Sequence, residues 1–99
     1  MILIASVSYP PENATDIAKR FLEAPQVPDF MTRRGPYFNS TFNEGITGFS
    51  IYELDKSKVA EGTEFLGNYM AIFFGVPGFK YEIKTLFEVE EALKMIGLG

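Results

Sequence analysis

Two stretches of the chain are apolar on both of the faces that a β-strand presents. In Ile2–Ser8, apolar residues occupy successive positions instead of alternate ones, and Ile46–Leu54 repeats the pattern with β-branched and aromatic residues. Side chains alternate between the two faces of a strand, so such a run indicates a strand that is covered on both sides. We therefore predict that these two stretches form the central strands of a sheet.

Two further stretches are predicted to be edge strands. Phe30–Thr41 is interrupted by Gly35-Pro36, and a proline indicates an edge strand or a bulge. Phe79–Leu86 alternates strictly between apolar residues and the charged Lys-Glu-Lys series, which indicates a half-exposed edge. Phe42–Gly45, with glycine in its last position, is predicted to link the second and third strands as a hairpin.

Three helices are predicted between and after these strands. The first begins with Asn13 as its cap and ends near Glu23, and the second spans Lys56–Gly75 with Asp55 as its cap. A third helix is predicted at Glu88–Ile96, with Val89, Ala92, Leu93 and Ile96 on one stripe. The core positions expected in the first helix are Ala14, Ile17, Ala18, Phe21 and Leu22. Those expected in the second are Val59, Leu66, Met70 and Phe73, with Phe65, Tyr69 and Phe74 beside them. Gly62 and Gly67 are expected to permit close packing of the second helix.

The order of elements predicts an α+β fold of the ferredoxin-like class. It reads β-α-β-β-α-β with an extra C-terminal helix, over a single domain of residues 1–99. Right-handed crossovers would place the first and third strands in the centre of a four-stranded antiparallel sheet. That position agrees with their apolar character, since the two outer strands are those with the proline and with the charged face.

The face of the sheet turned away from the helices is expected to need a cover. In the first strand, Ile2 and Ile4 lie on the face opposite to Leu3, Ala5 and Val7. In the third, Phe49 and Ile51 lie opposite to Ile46 and Tyr52, so each strand presents apolar side chains on both faces. The C-terminal helix is too short to cover the second face alone. An identical sheet from a second chain would do so through a two-fold interface, so we expect a homodimer, and a higher assembly of dimers stays open.

The opening of the chain carries a short motif. A strand is followed by Pro10-Pro-Glu-Asn13 and then by Arg20-Phe-Leu-Glu23. On this motif and on its overall pattern the chain resembles the dimeric α+β barrel superfamily, and within it a small bacterial family of unknown function. The resemblance implies two facing sheets in a homodimer. The superfamily includes cofactor-free monooxygenases, haem-degrading enzymes, lactone isomerases and ligand-sensing domains, so it does not fix the function.

Composition removes several of these activities. The chain has no histidine and no cysteine, and therefore lacks the usual haem ligand, the commonest general base and every thiolate ligand. We expect no cofactor and no metal. A net charge of −4 argues against binding to nucleic acid or to an anionic membrane. The apolar run at Ile2 lacks a preceding basic region and is predicted as a strand rather than a signal peptide, so we expect a cytoplasmic protein.

Candidate site residues concentrate on the second and third strands and on the second helix. An arginine fork captures carboxylate or phosphate groups, and tyrosines often line pockets because the ring is apolar and the hydroxyl is polar. The alternative is a solvated edge strand whose arginines pair with aspartate or glutamate of the partner chain, with tyrosines that only pack in the core and the interface. The ligand-binding candidates are Arg33, Arg34, Tyr37, Asn39, Tyr52, Glu53, Tyr69 and Phe73.

No motif specifies a reaction, and the catalytic residues stay unknown. The first hypothesis is a homodimer that binds a small apolar or aromatic acid between the second helix and the sheet. The second is a cofactor-free monooxygenase or isomerase acting on an aromatic substrate, for which Glu53 would be the nearest acid or base if burial raised its pKa. The third is a structural dimer without a ligand, in which the space between that helix and the sheet would be filled.

Overall fold

The computed structural model of residues 1–99 contains one four-stranded antiparallel sheet in the order β2-β3-β1-β4. Strand β1 spans Ile2–Tyr9, β2 spans Met31–Thr41, β3 spans Gly45–Leu54 and β4 spans Lys80–Leu86. The predicted ferredoxin-like α+β fold is therefore confirmed, with the two strands that are apolar on both faces at the centre of the sheet.

Two helices cover one face of the sheet, and a third follows the last strand. Helix α1 spans Ala14–Leu22, α2 spans Val59–Ala71 and α3 spans Val89–Met95. The first two each begin with a short 3-10 turn, at Pro11–Asn13 and Lys56–Lys58. None of the helices has the length and hydropathy needed to span a membrane.

Asp55 caps the 3-10 turn that leads into the second helix, as expected, whereas Asn13 occupies the N-cap position of α1 without a capping hydrogen bond. The Asp55 carboxylate accepts hydrogen bonds from the Ser57 backbone N–H at 2.9 Å and from its hydroxyl at 2.8 Å. These two bonds lower the pKa of Asp55. Asn13 makes no capping bond. Its side chain instead donates to the Pro77 carbonyl at 2.7 Å, and so joins α1 to the loop after α2.

The helices bury fewer residues than their periodicity predicts. The fully buried residues of the core include Leu3 in β1, Tyr52 in β3 and Leu66 in α2. In α1 only Ile17 is buried. Ala18, Phe21 and Leu22 are exposed, Leu22 to 81%, so their expected place in the core is wrong. Phe74 is also exposed, because α2 ends at Ala71 and not at Gly75.

One of the two glycines of α2 serves the close packing that the sequence suggests. A Cβ at position 62 would lie 2.6 Å from Leu54 Cδ1, so Gly62 lets the helix approach β3 closely. At Gly67 nothing lies within 4 Å of such a Cβ. The expectation of close packing is therefore correct for Gly62 and wrong for Gly67.

The expected interruption of the second strand is a bulge. Arg34 pairs with Ile51 and Tyr37 pairs with Phe49, so two residues of β2 lie opposite one residue of β3 between those pairs. The extra residue falls at Gly35-Pro36, whose peptide bond is cis. Because side chains alternate along a strand, one extra residue reverses the face on which all following side chains lie. This reversal decides which of the candidate residues share a face.

Candidate functional site

Small side chains in the sheet and in α1 leave a cavity between them. On the sheet, Ala5 and Ser50 have small side chains and Gly48 has none, and on α1 the lining residues Ala14 and Ala18 are also small. Interiors pack closely when side chains are large enough to fill the space, and here they are not. The result is a cavity of about 300 Å³ under α1.

Aromatic rings form most of the remaining wall. Tyr52 of β3, Tyr69 of α2 and the following Phe73 line the cavity and are all buried. Of the 18 lining residues 15 are hydrophobic, so the cavity favours an apolar ligand. Phe21, Leu22 and Phe38 also line it and are partly or largely exposed, which places the opening between α1 and β2.

A polar group stands at the edge of this apolar space. Arg33 points to the helix side of β2, because it pairs with Tyr52 in the neighbouring strand. Its guanidinium carbon lies 6.0 Å from the centroid of the Phe21 ring, within range of a cation–π interaction. It also acts electrostatically on Tyr52 and Tyr69. Arg33 therefore lies beside three rings that line the cavity, although its own side chain is not part of the lining.

The two phenols remain protonated at neutral pH. Burial raises the pKa of Tyr52. The positive charge of Arg33, and hydrogen bonding with the Ser50 and Arg33 side chains, offset part of this rise. Burial and the neighbouring Tyr52 raise the pKa of Tyr69, and Arg33 again opposes the rise. A protonated phenol is a hydrogen-bond donor, so the site offers donors and a positive charge to an anionic ligand.

Arg33 has no anionic partner within its own chain. No aspartate or glutamate oxygen lies within 4.0 Å of its guanidinium, although five other ion pairs form in the molecule. The charge is half-buried, and a buried charge without a partner is costly. An anion bound beside Arg33 would reduce that cost.

The structure brings together four of the eight residues expected in the site and separates the others. Arg33, Tyr52, Tyr69 and Phe73 lie on the helix side of the sheet. The remaining four lie on the opposite face, which we call the outer face: Arg34, Tyr37, Asn39 and Glu53.

The bulge explains the separation of Tyr37 from Arg33. Without the extra residue of β2, Tyr37 would share the helix side with Arg33, as the expected ligand site requires. With it, Tyr37 contacts Phe49 on the outer face, with ring centroids 5.7 Å apart. Phe38 takes the helix side and lines the cavity instead.

The contribution of α1 to the site was not expected from the sequence. All five of its residues that were assigned to the core line the cavity: Ala14, Ile17, Ala18, Phe21 and Leu22. The signal that could have found them is the small size of the residues, since two alanines of the helix line the same cavity as Gly48 and Ser50 of the sheet. Small residues on both facing surfaces cannot fill the space between them.

Arg20 fixes the position of α1 over the cavity. Its guanidinium donates to the carbonyl oxygens of Ile72 and Phe74, each at 2.9 Å, and pairs with Asp16 at 3.1 Å. These carbonyls belong to the end of α2, where the helical hydrogen bonds have stopped. Arg20 therefore joins the two helices through polar bonds and leaves the space under α1 empty.

The outer face carries an apolar strip that crosses all four strands. It consists of three directly opposed pairs, and we call it the outer strip: Leu86 with Ile2, Ile4 with Ile51, and Phe49 with Tyr37. Phe49 is 41% exposed and Tyr37 53% exposed. Charged and polar side chains surround the strip, as at a surface that meets another protein.

A wider concavity of about 1080 Å³ lies near the β2–β3 hairpin. Tyr37 and Asn39 line it together with Lys80, Glu82 and Phe42. It is broadly open to solvent, and only 6 of its 20 lining residues are hydrophobic, so it can bury much less of a small molecule than the cavity under α1 can. No cluster of three or more acidic side chains in the molecule is arranged to hold a metal ion.

Comparison with known proteins extends the description of the fold but not of the function. No family model and no curated protein matches this sequence. Among solved structures, the de novo designed protein Foldit4 superposes with a TM-score of 0.53 over 88% of this chain and 94% of its own, at 16% identity. At that identity the likeness shows the fold alone.

Two natural proteins are more distant in structure. A DUF3240 family protein from Shewanella baltica OS155 has a TM-score of 0.41 at 14% identity, over 88% of this chain and 91% of its own. A tripeptidase from Staphylococcus aureus Mu50 has a TM-score of 0.46 at 15% identity, over 99% of this chain but only 35% of its own. Neither likeness is close enough to support an argument about the site.

Proposed function

We propose that this protein binds a small aromatic or apolar acid in the cavity under α1. The observation that carries the proposal is Arg33, a half-buried arginine without a carboxylate partner beside two buried phenols. The Arg33 fork would hold the carboxylate by two parallel hydrogen bonds, and Tyr52 or Tyr69 would donate a third. The apolar part would lie among the rings and the small residues of the floor.

We also propose that the protein is a homodimer of the dimeric α+β barrel type. In such a dimer the outer strip of one chain would meet that of its partner around a two-fold axis. The support is the strip itself, which exposes two aromatic side chains, Tyr37 and Phe49, in the single chain. The cavity lies on the other side of the sheet, so each subunit would keep its own ligand.

The cavity supports ligand binding over a purely structural dimer. A structural dimer was expected to have a filled space between the second helix and the sheet. The observed space of about 300 Å³ could hold a molecule of one or two rings. Natural interiors contain few voids of this size unless they have a use.

A cofactor-free enzyme is the second proposal, with the same cavity as its substrate site. Glu53, the acid or base expected from the sequence, lies on the outer face and is exposed, away from the cavity. The ionisable side chains that line the cavity are the phenols of Tyr9, Tyr52 and Tyr69, and Arg33 lies beside the last two. Because the phenols are protonated at neutral pH, they would act as hydrogen-bond donors to a developing oxyanion rather than as bases.

A matched pair of ligands tests the binding proposal. We expect 2-naphthoate to bind more tightly than the uncharged 2-naphthamide, because only the acid can neutralise Arg33. In Arg33→Gln this preference should fall by roughly tenfold, the effect of losing a charge-assisted hydrogen bond. Titration followed by the fluorescence of the naphthalene ring measures both affinities.

Two variants make the result specific. Arg34→Gln removes the adjacent charge from the outer face and should leave the preference unchanged. Ala18→Leu places a larger side chain in the cavity and should abolish binding of both ligands while the protein stays folded. Equal loss in Arg33→Gln and Arg34→Gln, or undiminished binding in Ala18→Leu, would place the ligand elsewhere.

A further inference from the structure

The two edges of the sheet differ in whether another strand can pair with them. The β2 edge is interrupted by the bulge at Gly35-Pro36, and proline lacks the N–H that a paired strand needs. The β4 edge has neither interruption. Its pairing with β1 runs without a register shift from Leu86 to Lys80, and the strand contains no proline. Only β4 therefore presents a long regular edge.

Helix α3 follows β4 directly but does not cover this edge. The Glu88 carboxylate lies 3.7 Å from the amino group of Met1, at the start of the neighbouring strand β1. The Glu91 carboxylate lies 3.8 Å from Lys56 Nζ, just after β3. The helix thus turns inward across the end of the sheet, towards β1 and β3. The outward N–H and C=O groups of β4 stay unpaired within the chain.

Exposed apolar side chains lie beside the unpaired edge of β4. Tyr81 is 43% exposed and contacts Phe74, which is 54% exposed, with ring centroids 5.8 Å apart. Leu86, at the other end of the strand, is 39% exposed. A strand added to this edge would cover all three side chains.

The charges of β4 are complementary to those of a second β4 running in the opposite direction. Lys80, Glu82 and Lys84 all lie on the outer face, where Lys84 pairs with Glu82 at 3.1 Å. An antiparallel register centred on Glu82 or on Lys84 would place like charges opposite each other, which destabilises a pair of strands. The register centred on Ile83 places Glu82 opposite the partner's Lys84 and overlaps all seven residues of the strand.

We propose that two copies of this chain join edge to edge through β4, in the register centred on Ile83. The product is a continuous antiparallel sheet of eight strands, twice the four of one chain. Ile83 faces the same residue of the partner on the helix side, and Tyr81 faces the partner's Thr85. This interface uses a different surface from the outer strip, so one chain can form both contacts and assemble into a tetramer.

Single cysteines test the register, because the natural chain contains none. In Ile83→Cys the two thiols would lie directly opposite each other across the two-fold axis, at a distance that a disulfide can span. In Thr85→Cys, on the same face, they would be separated by four strand positions, roughly 13 Å. Mild oxidation followed by non-reducing electrophoresis should give several-fold more covalent dimer in Ile83→Cys than in Thr85→Cys.

This comparison also separates the edge interface from the outer-strip interface. Ile83 and Thr85 both point towards the helices, so a dimer that meets only through its outer faces would join neither. Equal cross-linking in the two variants, or none in either while circular dichroism shows that both are folded, would overturn the proposal. Both results would leave the proposed ligand site untouched.

Charge variants provide an independent measurement. Glu82→Lys replaces two symmetry-related attractions by repulsions and should weaken the association in the Ile83→Cys background by roughly tenfold. The exchange Glu82→Lys with Lys84→Glu restores opposite charges and should restore cross-linking. Failure of the exchange to recover it, in a protein with an unchanged melting temperature, would exclude the proposed register.

Discussion

Arg33 and Arg34 show how strongly the role of a residue depends on the face it occupies. They are adjacent in the sequence, but Arg33 lies among the rings of the cavity and Arg34 points to the outer face. The same guanidinium is useful as an anion site only where apolar neighbours exclude water and weaken screening. The difference between these two residues is therefore one of environment and not of chemistry.

The tyrosines provide a prediction at the same scale. Burial raises the pKa of Tyr9, Tyr52 and Tyr69 above the ordinary value of 10.0. Below that pH these phenols are protonated in both the folded and the unfolded chain, so they have no effect on the pH dependence of stability. Above it the unfolded chain loses its protons first. We expect the free energy of unfolding to fall by up to about 1.4 kcal/mol per pH unit for each such phenol.

Chemical denaturation at a series of pH values between neutrality and the alkaline range measures this loss. Tyr52→Phe and Tyr69→Phe should each make the dependence on pH shallower, because phenylalanine does not ionise. Tyrosinate absorbance gives a second measurement, in which the buried phenols of the folded protein should titrate at higher pH than free tyrosine does. A stability that is independent of pH above 10 would contradict the prediction.

At the scale of whole elements, Arg20 determines how α1 is held. Arg20→Met removes two hydrogen bonds from a charged donor to the last carbonyls of α2 and one ion pair with Asp16. We expect the free energy of unfolding to fall by about 2 kcal/mol, a value typical of hydrogen bonds to charged groups. Urea denaturation followed by circular dichroism measures it.

Two controls separate these contributions. Asp16→Asn removes only the exposed ion pair between positions four apart on the helix, and should cost about 0.5 kcal/mol or less. Arg20→Lys keeps the charge but cannot reach both carbonyls with one planar group, so it should recover only part of the stability. Full stability in Arg20→Met would show that the helix is held by its apolar contacts alone.

The sequence predicts the individual helices and strands better than it predicts how they pack against each other. Hydrophobic periodicity identifies all four strands and the three helices, because burial imposes the period on each element separately. It does not show how far a helix lies from the sheet. Phe21 and Leu22 were both expected in the core, but they are 36% and 81% exposed, since α1 lies over a cavity.

The candidate site shows the same limit. Arg33, Tyr52, Tyr69 and Phe73 could be grouped correctly from strand alternation and helix periodicity alone. Tyr37 could not, because Gly35-Pro36 indicates an irregular strand without fixing how many residues the irregularity adds. Pairing with the neighbouring strand decides that number, and such pairing is a long-range property.

The apolar stripe predicted on α3 is exposed to solvent in the single chain. Val89, Leu93 and Ile96 do lie on a helix or at its end, yet Val89 and Ile96 are each 70% exposed and Leu93 is 37% exposed. An amphipathic pattern shows that a face is suited to burial, and says nothing about whether the same chain buries it. In a monomer this stripe stays in contact with water.

At the scale of the whole molecule, the outer strip gives a prediction about assembly. Phe49→Glu places two charges at the two-fold axis of the proposed outer-face dimer. We expect the dissociation constant of that dimer to rise by about thirtyfold, or about 2 kcal/mol, as for a central interface residue. Native mass spectrometry and sedimentation velocity both measure it.

Phe42→Glu is the matched control for this change. Phe42 lies fully exposed at the tip of the hairpin, outside the outer strip, so the same substitution there should leave the assembly unchanged. A monomeric natural protein would remove the outer-face dimer. A dimer that tolerates Phe49→Glu but is lost in Glu82→Lys would assign the assembly to the β4 edge.

The bulge in β2 also has a consequence for how this protein can evolve. One extra residue at Gly35-Pro36 places Phe38 at the cavity under α1 and Tyr37 in the outer strip. Deletion of a single codon there would exchange the two assignments for every position up to the hairpin. A lineage could thus alter ligand preference and self-association in one step, without substituting any of the residues that face either surface.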